Sequence, residues 1–309
     1  MVLDALADEA FDPEGPLAPT YALLVVRAGE LELERYGVLP DGQVVDAGTP
    51  LRSWSIAKSM LHAAIGLLVG DGRLRVDDPA PVPAWRGDAR AAITIEHLLA
   101  MRDGLDFAED YVDARASDVI EMLFGAGIDD VAAFAIGRPA AVAPGERFNY
   151  SSGTSNVLSS IVAGVVGPGE PYARFLHDRL FRPLGMTSAQ PGLDAAGTWV
   201  ASSYVDATAR DFARFGALYL HGGEDLLPDG WVEHGTRPRS VDEESGHGYG
   251  AHWWLPPGDD GVFEARGYEG QSITVVPAGD AVVVRLGRTP AERNGPLRAW
   301  RAAMVDALA

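Results

Sequence analysis

From Ile56 to Val69 the sequence has almost no polar face. Ile56, Met60, Leu61, Ile65, Leu67 and Leu68 surround a helical wheel, and Gly70-Asp71-Gly72 ends the run. A helix that is apolar nearly all round is a buried one, so the rest of the chain has to close around it. With 309 residues, 47% of them hydrophobic, there is material for one large domain or one domain carrying an insertion.

The segments flanking that helix differ in kind. Tyr21-Ala-Leu-Leu-Val-Val and the alternating Leu31–Tyr36 read as a hairpin turning at Ala28-Gly29-Glu30, with Glu30–Glu34 on a solvated face. Gln271–Val276 and Ala281–Leu286 flank Pro277-Ala278-Gly279-Asp280 as a second hairpin, and the aromatic Tyr249–Leu255 reads as a further strand. Between them the signals are helical. Thr94 caps Ile95–Met101, Ser117 caps Asp118–Phe124, and Ile128–Ile136 is apolar-periodic. A helix runs from just after Tyr150 to about Val166, and Glu170–Phe181 is amphipathic up to Pro183. Asp206–Leu220 is a helix capped by Thr208, and Arg293–Leu308 closes the chain as another. The pattern predicts an α+β fold: an antiparallel sheet built from both ends of the chain (1–75 and 195–309), flanked by helices, with 76–194 inserted as a mostly helical lobe.

Composition excludes several functions. There is no cysteine, hence no disulfide, thiolate metal site or cysteine nucleophile. A net charge of −19 opposes binding to phosphate backbones and anionic membranes. The longest apolar run, Val157–Val166, is too short to span a bilayer, and the first residues lack the pattern of a signal peptide. A cytoplasmic protein with no nucleic-acid or membrane partner is expected. The seven histidines show no metal-ligand spacing and read as loop or surface residues. Trp231, Trp253 and Trp254 read as core or cleft lining, with no choice between the two.

Chemistry points to the start of the apolar helix. Lys58 is the single lysine, and Ser55 stands three residues before it. Residues three apart share a helix face, so hydroxyl and amine meet. At the first turn Ser55 also has the unpaired N–H groups and positive end of the helix dipole, which suit a developing oxyanion. Burial pushes a lysine's pKa toward the range useful for proton transfer. The plain alternative is a serine cap followed by an unrelated lysine. With 15 serines in the chain, that spacing arises by chance about one time in twenty, so it does not decide the matter alone. Tyr150, in Phe148-Asn-Tyr-Ser-Ser-Gly153, is either a packed core residue or a proton carrier whose only ammonium neighbour is Lys58. Gly267-Tyr268-Glu269-Gly270-Gln271 is either an ordinary hairpin approach or a backbone that comes close to a ligand.

In this order the motifs resemble the serine hydrolases of the β-lactamase/penicillin-binding-protein superfamily, in its class C-like branch of family VIII carboxylesterases, D-stereospecific peptidases and 6-aminohexanoate-dimer hydrolases. The resemblance runs through Ser53-Trp-Ser-Ile-Ala-Lys-Ser59, Ile93–Leu99, Ala143-Pro-Gly-Glu-Arg-Phe148, Tyr150-Ser-Ser-Gly153, Arg182–Thr187 and Gly270-Gln271. It implies Ser55 as acylated nucleophile, Lys58 as the amine that activates it, and Tyr150 as the proton shuttle to the leaving group. The backbone N–H groups of Ser55 and Gln271 would form the oxyanion hole. No metal or cofactor is implied, and catalysis would sit in the cleft between sheet and helical lobe.

Two positions depart from the β-lactamase pattern. Ser152 stands where an asparagine would contact the substrate amide, and Tyr268-Glu269 stand before Gly270 where a lysine would bind the substrate carboxylate. Without that lysine Glu269 would repel a carboxylate, which argues against efficient β-lactam hydrolysis. Ser152, Tyr268, Glu269, Gly270 and Tyr111 are the candidate substrate-binding residues, Tyr111 lying with Asp110 and Asp113 in the helical lobe. The expected activity is a serine hydrolase of small esters or amides; a β-lactamase or D-peptidase, or a non-catalytic sensor with the same fold, are the alternatives.

Overall fold

The computed structural model describes residues 2–111, 116–258 and 261–309. Its elements are α1 (Val2–Ala10), β1 (Thr20–Arg27), β2 (Glu30–Tyr36), β3 (Leu51–Arg52), α2 (Ile56–Gly70), α3 (Ile95–Leu99), α4 (Asp118–Phe124), α5 (Val131–Ile136) and α6 (Ser152–Val166). After them come α7 (Glu170–Leu176), β4 (Gln190–Pro191), β5 (Val205–Ala207), α8 (Ala209–Leu220), α9 (Trp231–Thr236) and β6 (Ser240–Val241). The chain ends with β7 (Gly248–Tyr249), β8 (Trp254–Leu255), β9 (Phe263–Arg266), β10 (Ser272–Val276), β11 (Ala281–Gly287) and α10 (Asn294–Leu308). No helix among the described residues is long and apolar enough to cross a membrane.

Eight strands form one antiparallel sheet in the order β2-β1-β11-β10-β9-β8-β7-β6. The two ends of the chain meet toward one edge of it, as its second and third strands, where Leu24 pairs with Val284 and Val26 with Val282. Alternation along β1 separates two cores. Ala22 and Leu24 join the large cluster that holds α2 and α8, whereas Leu23 and Val25 join a smaller one with Ala7, Ala10, Trp300 and Met304 of α1 and α10. The α+β architecture of a terminal-strand sheet flanked by helices is therefore present. The short strands β3, β5 and β4 make a second sheet, which fixes the segment just before α2: Ser53 N–H donates to Val205 O at 2.8 Å.

Some boundaries differ from the sequence expectation. Tyr249–Leu255 is not one strand but two, β7 and β8, paired Gly248 to Leu255 and Tyr249 to Trp254. His252 takes a left-handed φ of 62°, and Gly250 lies so near Gly235 that a Cβ would stand 2.0 Å from its carbonyl oxygen, so the chain turns where its aromatic content suggested extension. Ile128 stays outside α5, which begins after Asp130 caps Ala133 N at 2.8 Å. Asp206 lies in β5, and α8 begins only after Thr208, whose side chain caps it. Glu170–Phe181 divides into α7 and a π-helical turn over His177–Phe181. The histidines are not confined to loops and surface either: His62 is buried within α2, bonded to Tyr219 and His234, while His252, in the bend between β7 and β8, is a loop residue that is nonetheless buried, bonded to Leu99 O and Ser155. Of the tryptophans, Trp231 and Trp253 are core.

Candidate active site

Ser55 is the N-cap of α2, yet its side chain makes no capping hydrogen bond. Its Oγ accepts instead from Lys58 Nζ at 2.9 Å. The residue before it, Trp54, has a φ of 45°, a left-handed conformation that a bulky side chain rarely adopts and that is often held at functional sites. Ser53 holds that bend from below: its Oγ donates to Trp54 O and Ser203 O and accepts from Val205 N–H.

Lys58 is 2% exposed. Its three N–H donors have three acceptors: Ser55 Oγ at 2.9 Å, Ser152 Oγ at 2.9 Å and Ser202 O at 3.1 Å. All three are uncharged, and burial brings the Lys58 pKa down to about 8, against an opposing pull from the Glu109 carboxylate. The only lysine is thus a titratable amine hydrogen-bonded to a serine hydroxyl.

Tyr150 stands at the mouth of α6, its ring 4.9 Å from Lys58 Nζ and packed against Trp254 (centroids 5.1 Å apart) and Tyr249 (5.9 Å). Trp254 thereby belongs to the site. Burial, and then the charge of Glu109, push the Tyr150 phenol well up, while its contact with Ser55 pulls the other way. The phenol is neutral near neutral pH.

Ser152, next on the same turn, is buried, and its hydroxyl is engaged on both sides. It accepts from Lys58 and donates to Glu109 Oε1 at 2.5 Å, while its N–H donates to Glu109 Oε2 at 2.7 Å. Glu109 also accepts from the Tyr111 hydroxyl. Sequence reasoning singled out Tyr111 and passed over Glu109, because no local periodicity links it to α6. Asp113 lies outside the described residues.

The 267–271 turn crosses in front of Ser55. Glu269 (φ 59°) and Gly270 (φ 86°) are both left-handed. A Cβ at Gly267 would lie 2.4 Å from Ser53 O, and one at Gly270 would lie 2.7 Å from Arg285 Nη1. These glycines therefore allow close approach to the protein's own backbone and to a buried arginine. Arg285, fully buried, donates to Glu269 O at 3.3 Å and Gly270 O at 3.1 Å, and so holds the turn. The Gln271 side chain faces inward, bonded to Tyr268 O and to both backbone groups of Gly287. No lysine lies at this turn, as expected, but Glu269 is not an unopposed charge: Arg288 Nε pairs with its Oε1 at 2.9 Å.

Tyr268 stacks on Tyr111 (centroids 4.9 Å, planes 29° apart) and meets Trp54 edge-on at 5.9 Å. These three rings, with Ser55 and Ser203, bound a cavity of about 210 Å³. Its far wall is α4: Val119, Ile120, Leu123 and Phe124. A larger open depression of about 570 Å³ beside α9 holds none of these residues.

The sequence matches the beta-lactamase family over residues 13–307. It is 30% identical to the 6-aminohexanoate-dimer hydrolase of Paenarthrobacter ureafaciens over 316 aligned residues, covering 93% of this chain and 78% of that one. The octameric penicillin-binding protein homologue from Pyrococcus abyssi shares the fold with a TM-score of 0.77 at 19% identity, over 99% of this chain and 77% of that one. EstCE1, described as a hydrolase with promiscuous acyltransferase activity, gives 0.78 at 17% identity, over 98% and 97%. At those identities the two structures speak for the fold alone. With the family match spanning nearly the whole sequence, this chain belongs to the beta-lactamase family and is a serine hydrolase of that fold.

Proposed function

We propose that the protein cleaves small, uncharged esters or amides by acyl transfer through Ser55. The observation that carries this reading is the 2.9 Å hydrogen bond between Lys58 Nζ and Ser55 Oγ inside a buried site. An amine with a pKa of about 8 is neutral in roughly a tenth of the molecules at pH 7, enough to act as base.

Neutral Lys58 takes the Ser55 proton as Oγ bonds the substrate carbonyl carbon and the C=O electron pair moves onto oxygen. The backbone N–H groups of Ser55 and Gln271 receive that oxyanion. On collapse the bond to the leaving group breaks, and the leaving atom takes the Tyr150 proton, which the Lys58 ammonium restores. Water repeats the sequence in reverse roles and releases the acid. The neutral phenol of Tyr150 suits a donor better than a standing base.

The cavity beside Ser55 supports the choice of substrate. About 210 Å³ lined by α4 and aromatic rings holds a group somewhat larger than benzene, which fills a cavity of ~150 Å³. A β-lactam or D-peptide needs a cation for its carboxylate, and Arg288 at this turn is already paired with Glu269. The net charge of −19 likewise favours a neutral small molecule over nucleic acid or an acidic membrane.

The test is p-nitrophenyl butyrate cleavage with early-time kinetics, beside intact-mass analysis after a fluorophosphonate probe. One adduct mapped to Ser55, absent in Ser55→Ala together with turnover, supports the reading. No adduct and no difference between the two proteins refutes it and favours a binding module.

A further inference from the structure

Glu109 takes part in none of those steps, yet it ends a hydrogen-bonded chain that begins at the nucleophile. Lys58 Nζ donates to Ser55 Oγ and Ser152 Oγ, and Ser152 Oγ donates onward to Glu109 Oε1 at 2.5 Å. Both Glu109 oxygens are committed, one to the Ser152 hydroxyl and one to the Ser152 backbone N–H. The carboxylate is therefore seated on the first turn of α6, and Tyr111 holds it from the other side.

An ammonium buried among neutral acceptors is costly unless an anion lies within reach. Lys58 has two hydroxyls and a carbonyl as direct partners, and the Glu109 carboxylate stands one hydroxyl away. We propose that Glu109 is a positioning residue of the acyl-transfer site: through Ser152 it holds the Lys58 amine on Ser55 and stabilises the ammonium formed when Lys58 takes the serine proton. This rests on the reading of Ser55 as nucleophile. The balance is simple: the Ser55 O–H bond breaks, an N–H bond forms on Lys58, and Ser152 keeps its own proton, directed at Glu109. Among the described residues the other titratable groups facing Lys58 carry no charge near neutral pH. Tyr150 and Tyr111 are phenols pushed up mainly by burial, and burial takes His252 down to about 3. The Glu109 charge opposes the downward pull of burial on Lys58.

The experiment measures fluorophosphonate labelling rate against pH on the full chain, with the adduct mapped by mass, for wild type, Glu109→Gln, Glu109→Asp and Ser152→Ala. Thermal melting checks each fold. Wild-type labelling rises through about pH 8. In Glu109→Gln the plateau falls about tenfold or more, and the rise moves to lower pH by about half a pH unit or more, since loss of the negative charge favours the neutral amine. Glu109→Asp keeps the rise near its wild-type position. A merely structural role lowers the plateau without moving the rise, so a rise that stays put or moves upward in Glu109→Gln overturns the proposal. Should that variant fail to fold, Ser152→Ala cuts the bridge with both charges kept; a plateau loss of about tenfold supports the proposal and an unchanged plateau overturns it. Absence of any Ser55 adduct in wild type overturns the nucleophile reading and this inference with it. That result is distinct from a wild type that labels and a Glu109→Gln variant that behaves identically.

Discussion

Gly267 passes Ser53 at a separation that only glycine permits, a Cβ there lying 2.4 Å from the Ser53 carbonyl oxygen. The crossing ties the turn that carries Gln271 to the bend that carries Ser55, two segments more than 200 residues apart in sequence. Backbone cannot yield as a flexible side chain can, so Gly267→Ala must push the two segments apart. Turnover of p-nitrophenyl butyrate is expected to fall about 100-fold, the scale of losing one oxyanion donor. The steady-state assay checks it, and a variant with wild-type kcat/KM contradicts the Gln271 assignment.

Lys58→Met removes the amine proposed as base while filling its volume. Turnover should drop about 100- to 10,000-fold, the usual worth of a general base. The folded pKa of about 8 lies below the ordinary 10.5, so between those values the unfolded chain binds more protons here than the folded one. Stability from this group therefore rises with pH across that window, and its burial cost is present in full below pH 8. Melting wild type and Lys58→Met side by side at pH 7 and pH 10 should show the difference in Tm moving toward wild type by about 2–4 °C or more.

Tyr150→Phe separates substrates by leaving group. An anilide nitrogen needs a proton as it departs, whereas p-nitrophenolate does not. Anilide hydrolysis should fall about 1,000-fold and p-nitrophenyl ester hydrolysis about tenfold. Equal losses on both substrates remove Tyr150 from the protonation step.

Ile120, on α4, faces the cavity beside Ser55. Ile120→Trp would fill it, so hexanoate esters should lose about 10- to 100-fold in kcat/KM while acetate esters hold theirs, the range expected when a pocket discriminates by a few methylenes. Parallel losses on both esters would locate the acyl group elsewhere.

Ser55 and Lys58 were legible in sequence because their contact is local, an i,i+3 pair on a helix whose burial its own residues announce. The sheet was legible for a related reason: short apolar runs bounded by turn residues stand at both ends and need partners, and Leu23 and Leu24 do divide between two cores. Glu109 was not, since it meets Ser152 across 43 residues from a stretch with no periodic signal. His62 departs from the loop or surface reading because histidine burial depends on partners such as Tyr219 that only the tertiary fold supplies. The nine residues of α1 gave no helix signal, as what they bury most fully is two alanines, Ala7 and Ala10.

The pairing of β1 with β11 has a consequence for how the enzyme comes into being on the ribosome. Thr20 is matched to Gly287, so β1, which precedes α2, finds this neighbour only after more than 200 further residues have been made. Until then β1 has one open edge, and the 267–271 turn has no Arg285 to hold it. Contacts of such long sequence separation form late and slowly. A nascent chain would thus carry Ser55 and Lys58 early but remain inert, gaining its hydrolase activity only when β11 emerges and seats itself.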